Sequence, residues 1–214
     1  MPFHSQIGQD TWVNSILKGK KNGFFVELGA CDGRHYSNSL FFEECLGWDG
    51  ICIEPNDIYF EKLKVNRKCK LSNELAFSHE GKYVDFSFCE AASGILNDVC
   101  APFTKRNLIV RKKTTTLGKI LDLLSAPEII DYLSLDVEGA ELAILSTFPF
   151  SKYKFRVLTV EHNAPHVGPE QQIAIREILT KNGYKFIKGN DDILNWGHGP
   201  IDDFYIHPEL VDSV

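Results

Sequence analysis

The sequence has no long apolar run and no targeting signal near its beginning. Apolar windows such as Ile51 to Ile53 and Val157 to Val160 have the length of strands, whereas a membrane-spanning helix needs about 20 apolar residues. Residues Met1 to Gln6 lack the basic region followed by an apolar one that a secretory signal requires. These absences predict a protein without a membrane span that works in the cytoplasm.

Closely paired cysteines and an excess of positive charge are also missing. The 6 cysteines include no CxxC pair and are too sparse for a disulfide scaffold, so we expect buried, reduced thiols. The formal net charge of -6 disfavours a long contact with a phosphate backbone. The basic run from Arg106 to Lys113 is local and typical of a solvated strand or loop edge. No nucleic-acid partner is therefore expected.

What the chain does contain is an alternation of strand-like and helix-like patterns. Without an internal repeat or a long linker, residues 1–214 are predicted to form one domain. Near-continuous apolar strands separated by helices predict an α/β fold with a mostly parallel sheet and helices on both faces. The predicted strands are Phe24–Leu28, Gly50–Ile53, Lys70–Phe77, Lys82–Phe88, Leu108–Lys113, Ile130–Asp136, Phe155–Glu161, Tyr184–Lys188 and Ile201–His207. The predicted helices are Gln9–Leu17, Asn38–Leu46, Asp57–Asn66, Thr115 or Thr116 to Leu124, Ala140–Leu145 and Pro169–Asn182.

The ends of the first two strands carry the features of a site for an adenosine-containing cofactor. In open α/β sheets, ligands bind beyond the carboxyl ends of the strands. Gly29 and Gly33 permit a tight turn there, and Glu54 follows Gly33 by 21 positions, a spacing at which an acid can hold a ribose. The glycine spacing differs from the G-x-G-x-x-G of dinucleotide sites, and Glu27 and Asp32 would repel a pyrophosphate. Beside the ammonium and sulfonium of S-adenosylmethionine the same acids are attractive.

With these motifs the chain resembles the FkbM family of methyltransferases over nearly its whole length. The resemblance implies the class I methyltransferase (Rossmann-like) fold, a seven-stranded sheet whose last strand is antiparallel. It also implies transfer of a methyl group from S-adenosylmethionine to an oxygen, often a sugar hydroxyl of a glycan or a glycosylated metabolite. The stretches that carry it are Ser5–Asp10, Gly23–Gly33, Tyr36–Ser39, Gly50–Asn56 and Leu133–Glu141.

Two departures from the family pattern concern the cofactor loop and the acceptor. Members often have Asn at the position of Cys31, and many carry a larger N-terminal region or a partner domain. Here a short N-terminal helix, about residues 9–18, is predicted to cover the cofactor site. The predicted cofactor-binding residues are Glu27, Gly29, Ala30, Asp32, Gly33, Asn38, Glu54, Pro55, Asn73 and Asp136.

The ends of two later strands are predicted to supply the chemistry. Asp136 and Glu138 follow one buried strand, and Glu161 and His162 end the next. Because the carboxyl ends of parallel neighbours meet at one edge of a sheet, we expect these four residues to form the catalytic rim. His162 is a suitable general base, with the carboxylates as its rivals. Asp136, Glu161 and His162 could also hold Mg²⁺ or Mn²⁺, because carboxylates and an imidazole suit these ions.

Three other functions fit the sequence less well. A nicotinamide-dependent oxidoreductase is disfavoured by the glycine spacing. An amino-methyltransferase of nucleic acids would have an Asn/Asp-Pro-Pro-aromatic loop where this chain has Asp136-Val137-Glu138-Gly139. A non-catalytic module that binds a glycan or partner is disfavoured by acids at every strand end. The expected acceptor is a small molecule or a glycan, and Ala91 to Thr104 is the alternative acceptor loop, with His35, Tyr36, Ser93 and Gly94 as further candidates for ligand contact.

Overall fold

A computed structural model describes residues 3–89, 92–96, 108–189 and 201–213. The helices are α1 Gln9–Ile16, α2 Leu40–Leu46, α3 Asp57–Asn66, α4 Leu117–Leu123, α5 Glu141–Ser146, α6 Ala164–Val167, α7 Glu170–Lys181 and α8 Pro208–Val211. The strands are β1 Phe24–Leu28, β2 Asp49–Ile53, β3 Lys70–Ser72, β4 Leu75–Ala76, β5 Tyr83–Phe88, β6 Gly94–Ile95, β7 Leu108–Thr115, β8 Ile129–Leu135, β9 Lys154–Glu161, β10 Lys185–Gly189 and β11 Asp202–Ile206.

Seven strands form the main sheet in the order β10-β11-β9-β8-β1-β2-β3. The strands from β9 to β3 run parallel, and β11 pairs antiparallel with both β9 and β10. The predicted mostly parallel sheet with an antiparallel last strand is therefore confirmed. The order reverses between β1 and β8, because the chain builds β1, β2 and β3 to one side before it returns to β8. That reversal is where an open α/β sheet forms its ligand crevice.

Both faces of the main sheet are covered, as the unbroken apolar strands predict. In β1, Val26 and Leu28 belong to one core cluster, whereas the side chain of Phe25 belongs to the other. This division follows from the two-residue period of a strand. Helices α1, α2 and α3 contribute buried residues to the cluster around Phe25, and α4, α5 and α7 contribute to the cluster around Val26.

The predicted third strand, Lys70–Phe77, is wrong as one element. The structure divides it into β3, at the edge of the main sheet, and β4, which belongs to a second sheet of order β4-β7-β5-β6. The break falls at Asn73 and Glu74, where the Asn73 side chain donates to the carbonyl of Glu54. The second sheet packs Leu75, Phe86 and Ile95 into the core cluster around Val26. Apolar periodicity identified the strands β5 and β7 but not their separate sheet.

Helix starts differ slightly from the prediction. Asn56, rather than Asp57, caps α3, because its side chain accepts from the backbone N–H of Ile58. Of the two threonines proposed for α4, Thr116 is the cap. The short helices α6 and α8 were not predicted. Within the described ranges, no helix has both the length and the apolar character needed to cross a membrane.

Candidate active site

A pocket of about 350 Å³ opens at the carboxyl ends of β1, β8 and β9. This volume lies within the range of small-ligand sites, roughly 300 to 1,000 Å³. The loop after β1, the turn after β8, the end of β9 and the N-terminal segment line it together. The predicted site residues among the lining are Glu27, Gly29, Ala30, Asp32, Asn38, Asp136, Glu138 and Glu161. Gln6, Gln9, Cys31, His35, Tyr36, Ser37, Tyr59, Lys62 and Ala92 complete it.

The two glycines of the β1 loop are required by the packing of the protein itself. Both have positive φ, 76° at Gly29 and 77° at Gly33, where residues with a Cβ are strained. A Cβ on Gly29 would overlap the carbonyl oxygen of Asp136, and one on Gly33 would lie 2.5 Å from Leu63 Cδ1. We expected Gly29 to allow the close approach of a ligand. The group that approaches it is instead the backbone of Asp136, at the end of the neighbouring strand β8. Of the two, only Gly29 lines the pocket.

Glu27 lines the pocket and is already paired. Its carboxylate accepts from the hydroxyls of Ser37 and Ser39 and from the backbone N–H of Asn38. The buried guanidinium of Arg67 lies 3.2 Å from Glu27 Oε2 and also pairs with Glu43 at 2.7 Å. This pairing neutralises much of the charge that was predicted to attract the ammonium of the cofactor.

Sequence reasoning did not find Arg67. It stands at the end of α3 in an ordinary polar stretch, Asn66 to Lys68. The one available signal was the need of Glu27, an acid inside an apolar strand, for a buried partner, and nothing in the pattern says which cation supplies it.

Glu54 is buried behind the β1 loop and holds two of its neighbours. Its carboxylate accepts from the backbone N–H of Cys31 at 2.8 Å and of Asn56 at 2.7 Å. Burial raises the pKa of Glu54 to about 7, although these two hydrogen bonds act in the opposite direction. Glu54 does not line the pocket. It accepts from Cys31, which does.

The other predicted cofactor residues are divided between the pocket and its surroundings. Asp32 lines the pocket, and its side chain accepts from the backbone N–H groups of Arg34 and His35. Asn38 donates to the Ser134 hydroxyl at 2.9 Å, while its own buried Oδ1 has no partner among the described residues. Pro55 lines a separate apolar cavity of about 30 Å³ between the two sheets.

Three carboxylates meet on the β8 and β9 side of the pocket. Oxygens of Asp136, Glu138 and Glu161 lie within 4.8 Å of one another. Burial, with the charges of neighbouring acids, raises the pKa of Glu138 to about 8 and that of Glu161 well above its ordinary value. Burial raises the pKa of Asp136 to about 6. Glu161 Oε2 is buried and has no partner within the described part of the chain. The ends of β8 and β9 thus bring these acids together.

His162 does not join this group, contrary to the predicted catalytic rim and metal-ligand set. Neighbouring residues at a strand end point to opposite faces, so His162 faces away from the side on which Glu161 lines the pocket. Its Nδ1 accepts from the backbone N–H of Ala164, and its Nε2 lies 3.0 Å from Gln172 Nε2 and 3.5 Å from Asp203 Oδ1. The residue that lies beside Asp136 and Glu161 is Glu138, and not His162 as the predicted metal-ligand set has it.

The remaining predicted candidates are divided, because Ser93 and Gly94 are not among the residues that line the pocket. His35 and Tyr36 line it, with ring centroids 3.9 Å apart. Ser93 accepts from the side chain of Asn56 and from the backbone N–H of Cys89. Of the alternative acceptor loop, Ala91 and residues 97–104 lie outside the described residues.

A known protein family matches most of the chain. The family described as "Methyltransferase FkbM domain" matches residues 27–186 of the 214, a range that begins within β1 and includes the acids after β8 and the end of β9. A search of curated proteins gave no match.

Solved structures of methyltransferases share the fold. A Clostridium thermocellum protein described as an rRNA-methylase has 11% sequence identity and a TM-score of 0.53, over 96% of this chain and 97% of that one. The MTase domain of METTL16 has 13% identity and a TM-score of 0.51, over 92% and 64%. A magnesium protoporphyrin IX methyltransferase from Synechocystis PCC 6803, with bound SAM, has 12% identity and a TM-score of 0.48, over 94% and 80%. The first two of these structures, with TM-scores above 0.5, establish the class I methyltransferase fold.

Proposed function

The chain belongs to the FkbM methyltransferase family, and from that premise we propose that it methylates an oxygen, namely a sugar hydroxyl of a glycan or a glycosylated metabolite. Family and fold support methyl transfer from S-adenosylmethionine and decide against a nicotinamide-dependent oxidoreductase. The observation that carries the choice of oxygen is the carboxylate group of Asp136, Glu138 and Glu161 at the pocket. A hydroxyl must lose its proton as it accepts a methyl group, and a carboxylate with a raised pKa suits that task.

The pocket fits the charges of the proposed cofactor. When bound, S-adenosylmethionine supplies an electrophilic methyl group on a sulfonium. Asp32 and Asp136 offer carboxylates to cationic groups, and the unpartnered Oδ1 of Asn38 is an acceptor within the same lining. Glu54 is proposed to hold the ribose, because it lies directly behind the β1 loop and a carboxylate can accept more hydrogen bonds than the two it makes there.

Within the carboxylate group we assign the base to Glu138. It is less deeply buried than Glu161 and lines the open pocket, so a substrate hydroxyl can reach it. Asp136, directly after β8 and against the Gly29 turn, is better placed to bind the cofactor.

The proposal is tested with isotopically labelled S-adenosylmethionine and a panel of oligosaccharides and nucleotide sugars. We expect label in a saccharide product, with a mass increase of one methyl group. Mass spectrometry of host glycans with and without the protein would identify the natural acceptor. Tight binding of S-adenosylhomocysteine without transfer to any acceptor would instead indicate a non-catalytic binding module. Transfer only to amines or carbon would contradict O-methylation.

A divalent cation at the same carboxylates is a second hypothesis. Oxygens within 4.8 Å of one another can share a cation, and carboxylates are the ligands that Mg²⁺ and Mn²⁺ prefer. The ligand set would be Asp136, Glu138 and Glu161, without the predicted His162. After dialysis against EDTA, calorimetry with MnCl₂ tests it: binding at one site, lost in Glu161→Gln, supports the hypothesis, and no heat from the parent protein contradicts it.

A further inference from the structure

The turn between β8 and α5 has a strained backbone conformation, which other contacts must stabilise. Glu138 has φ 58° and Gly139 has φ 108°, and Glu138 is a residue for which the left-handed region is unfavourable. This turn carries Asp136 and Glu138 into the pocket. A relaxation of the backbone at Glu138 would therefore move the carboxylate to which we assign the base.

The carboxylate of Glu141 binds this turn from behind. Glu141 Oε1 accepts from the backbone N–H of Val137 at 2.9 Å, and both of its oxygens accept from the N–H of Gly139 at 3.1–3.2 Å. Glu141 is fully buried and does not line the pocket. From α7, Gln171 Nε2 donates to Glu141 Oε2 at 3.1 Å, which fixes the carboxylate in turn.

These contacts differ from those of an ordinary helix cap. A cap satisfies the N–H groups of the first helical turn, and Glu141 does accept from its own backbone N–H. Val137 and Gly139, however, precede α5, and the N-cap residue Ala140 makes no side-chain bond. A neutral hydroxyl at the cap position would satisfy the helix without burying a charge. The chain buries a carboxylate instead, at a desolvation cost, and directs it at the turn.

We propose that Glu141 is a positioning residue for methyl transfer, which holds the Asp136–Gly139 turn in the conformation that presents Glu138 to the acceptor. The inference rests on the proposed function. Glu141 acts through hydrogen-bond acceptance and not through its charge. A glutamine can make the same contacts, because its amide oxygen can accept from both N–H groups while its Nε2 donates to a rotated Gln171 amide.

Two variants and a control test the proposal. Glu141→Ala should lower kcat by about 10² while the affinity for S-adenosylhomocysteine changes less than about 3-fold, because Asp136 directly follows β8 and Glu141 binds only the later residues Val137 and Gly139. Glu141→Gln should restore kcat to within about 3-fold of the parent. Thr116→Ala removes a cap from α4, outside the pocket lining, and should lower Tm without lowering kcat. A parental kcat in Glu141→Ala, or an equal loss in Glu141→Gln, would overturn the positioning role.

Amide hydrogen exchange separates this inference from the proposed function. Exchange at Val137 and Gly139 should become at least about 10-fold faster in Glu141→Ala and stay near the parental rate in Glu141→Gln. This readout needs no acceptor, so it remains valid if the parent protein methylates no saccharide. Unchanged exchange in Glu141→Ala would show that the turn holds itself and would overturn the inference.

Discussion

Substitutions of Glu138 and of His162 should have opposite effects on kcat and on stability. Glu138→Gln keeps the size of the side chain but removes the proton acceptor, so methyl transfer should slow by about 10² to 10⁴. His162→Ala removes an imidazole that bonds to Ala164, Gln172 and Asp203 away from the pocket, so it should lower Tm and leave kcat per folded molecule near the parental value. Initial rates at saturating substrate and thermal melts measure both effects.

The reverse result would restore the imidazole as base. A parental rate in Glu138→Gln together with a loss in His162→Ala would show that the end of β9 rearranges when the acceptor binds. Glu161→Gln provides the matched comparison, because it alters a more deeply buried member of the same carboxylate group.

Glu54 allows a pH-dependent test of the cofactor placement. Its pKa is raised from 4.5 to about 7 in the folded protein. Ribose hydroxyls donate to the ionised form, so the affinity for S-adenosylhomocysteine should rise as pH increases from 6 to 8. Glu54→Ala should weaken binding by about 1.5–3 kcal/mol at pH 8 and should flatten this pH dependence. Calorimetry at three pH values measures it, and an equal slope in parent and variant would place the ribose elsewhere.

The same shift sets the sign of an effect on stability. A carboxyl whose folded pKa lies above its unfolded value contributes stability that is present below pH 4.5 and lost as pH rises through 7. Without ligand, the Tm of the parent should therefore fall between pH 5 and pH 8 more steeply than that of Glu54→Ala.

At the scale of elements, the contact between the β1 loop and the turn after β8 depends on Gly29. In Gly29→Ala the new Cβ meets the carbonyl of Asp136, so β1 and β8 must separate where the pocket is built. Gly19→Ala is the matched control, since Gly19 has φ 69° but open space around its Cβ position. Thermal melts should show a loss of about 1–2 kcal/mol for Gly19→Ala and a larger one for Gly29→Ala. Equal losses would mean that only the backbone conformation matters.

The helix α3 is joined to the pocket by Arg67. Arg67→Met leaves Glu27 and Glu43 without their buried cation, and breaking a buried pair costs about 3–5 kcal/mol. Lys64→Met removes an exposed pair with Glu61 on the same helix and should cost less than about 1 kcal/mol. Denaturant unfolding compares the two. If Arg67→Met loses no more than Lys64→Met, Glu27 is held by its serine and backbone partners alone.

The elements show which features the sequence could predict. β1, β8 and β9 lie within about a residue of their predicted bounds, because unbroken apolar runs identify buried strands. Residues 70–77 look like one strand, because no local pattern tells that Leu75 pairs with Thr114 in another sheet. The sequence places Asp136 and Glu161 together, because both end buried parallel strands that pair with each other. It does not tell which of the neighbours Glu161 and His162 faces the pocket, because that depends on how β9 sits in the sheet. Arg67 and Glu141 act through contacts that no short motif encodes.

At the scale of the whole molecule, the N-terminal segment joins the pocket to the last strand of the sheet. Gln9 lines the pocket and donates to the buried Asp202 of β11 at 2.9 Å, and Trp12 packs edge-on against Phe204. Val13 and Leu17 extend the core cluster around Phe25. If α1 covers the cofactor, as we propose, these contacts would couple cofactor binding in the pocket to the stability of β11.

If α1 covers the cofactor, cofactor binding should also stabilise β11, which α1 contacts but which does not line the pocket. Saturation with S-adenosylhomocysteine at 100 times Kd stabilises the fold by about 2.7 kcal/mol, and hydrogen exchange should slow in α1 and β11 as well as in the β1 loop. Gln9→Ala should abolish the added protection of β11, whereas Thr11→Ala, on the exposed side of α1, should preserve it. Protection confined to the β1 loop in the parent protein would show that α1 belongs to the core alone, and that the pocket is closed by another segment.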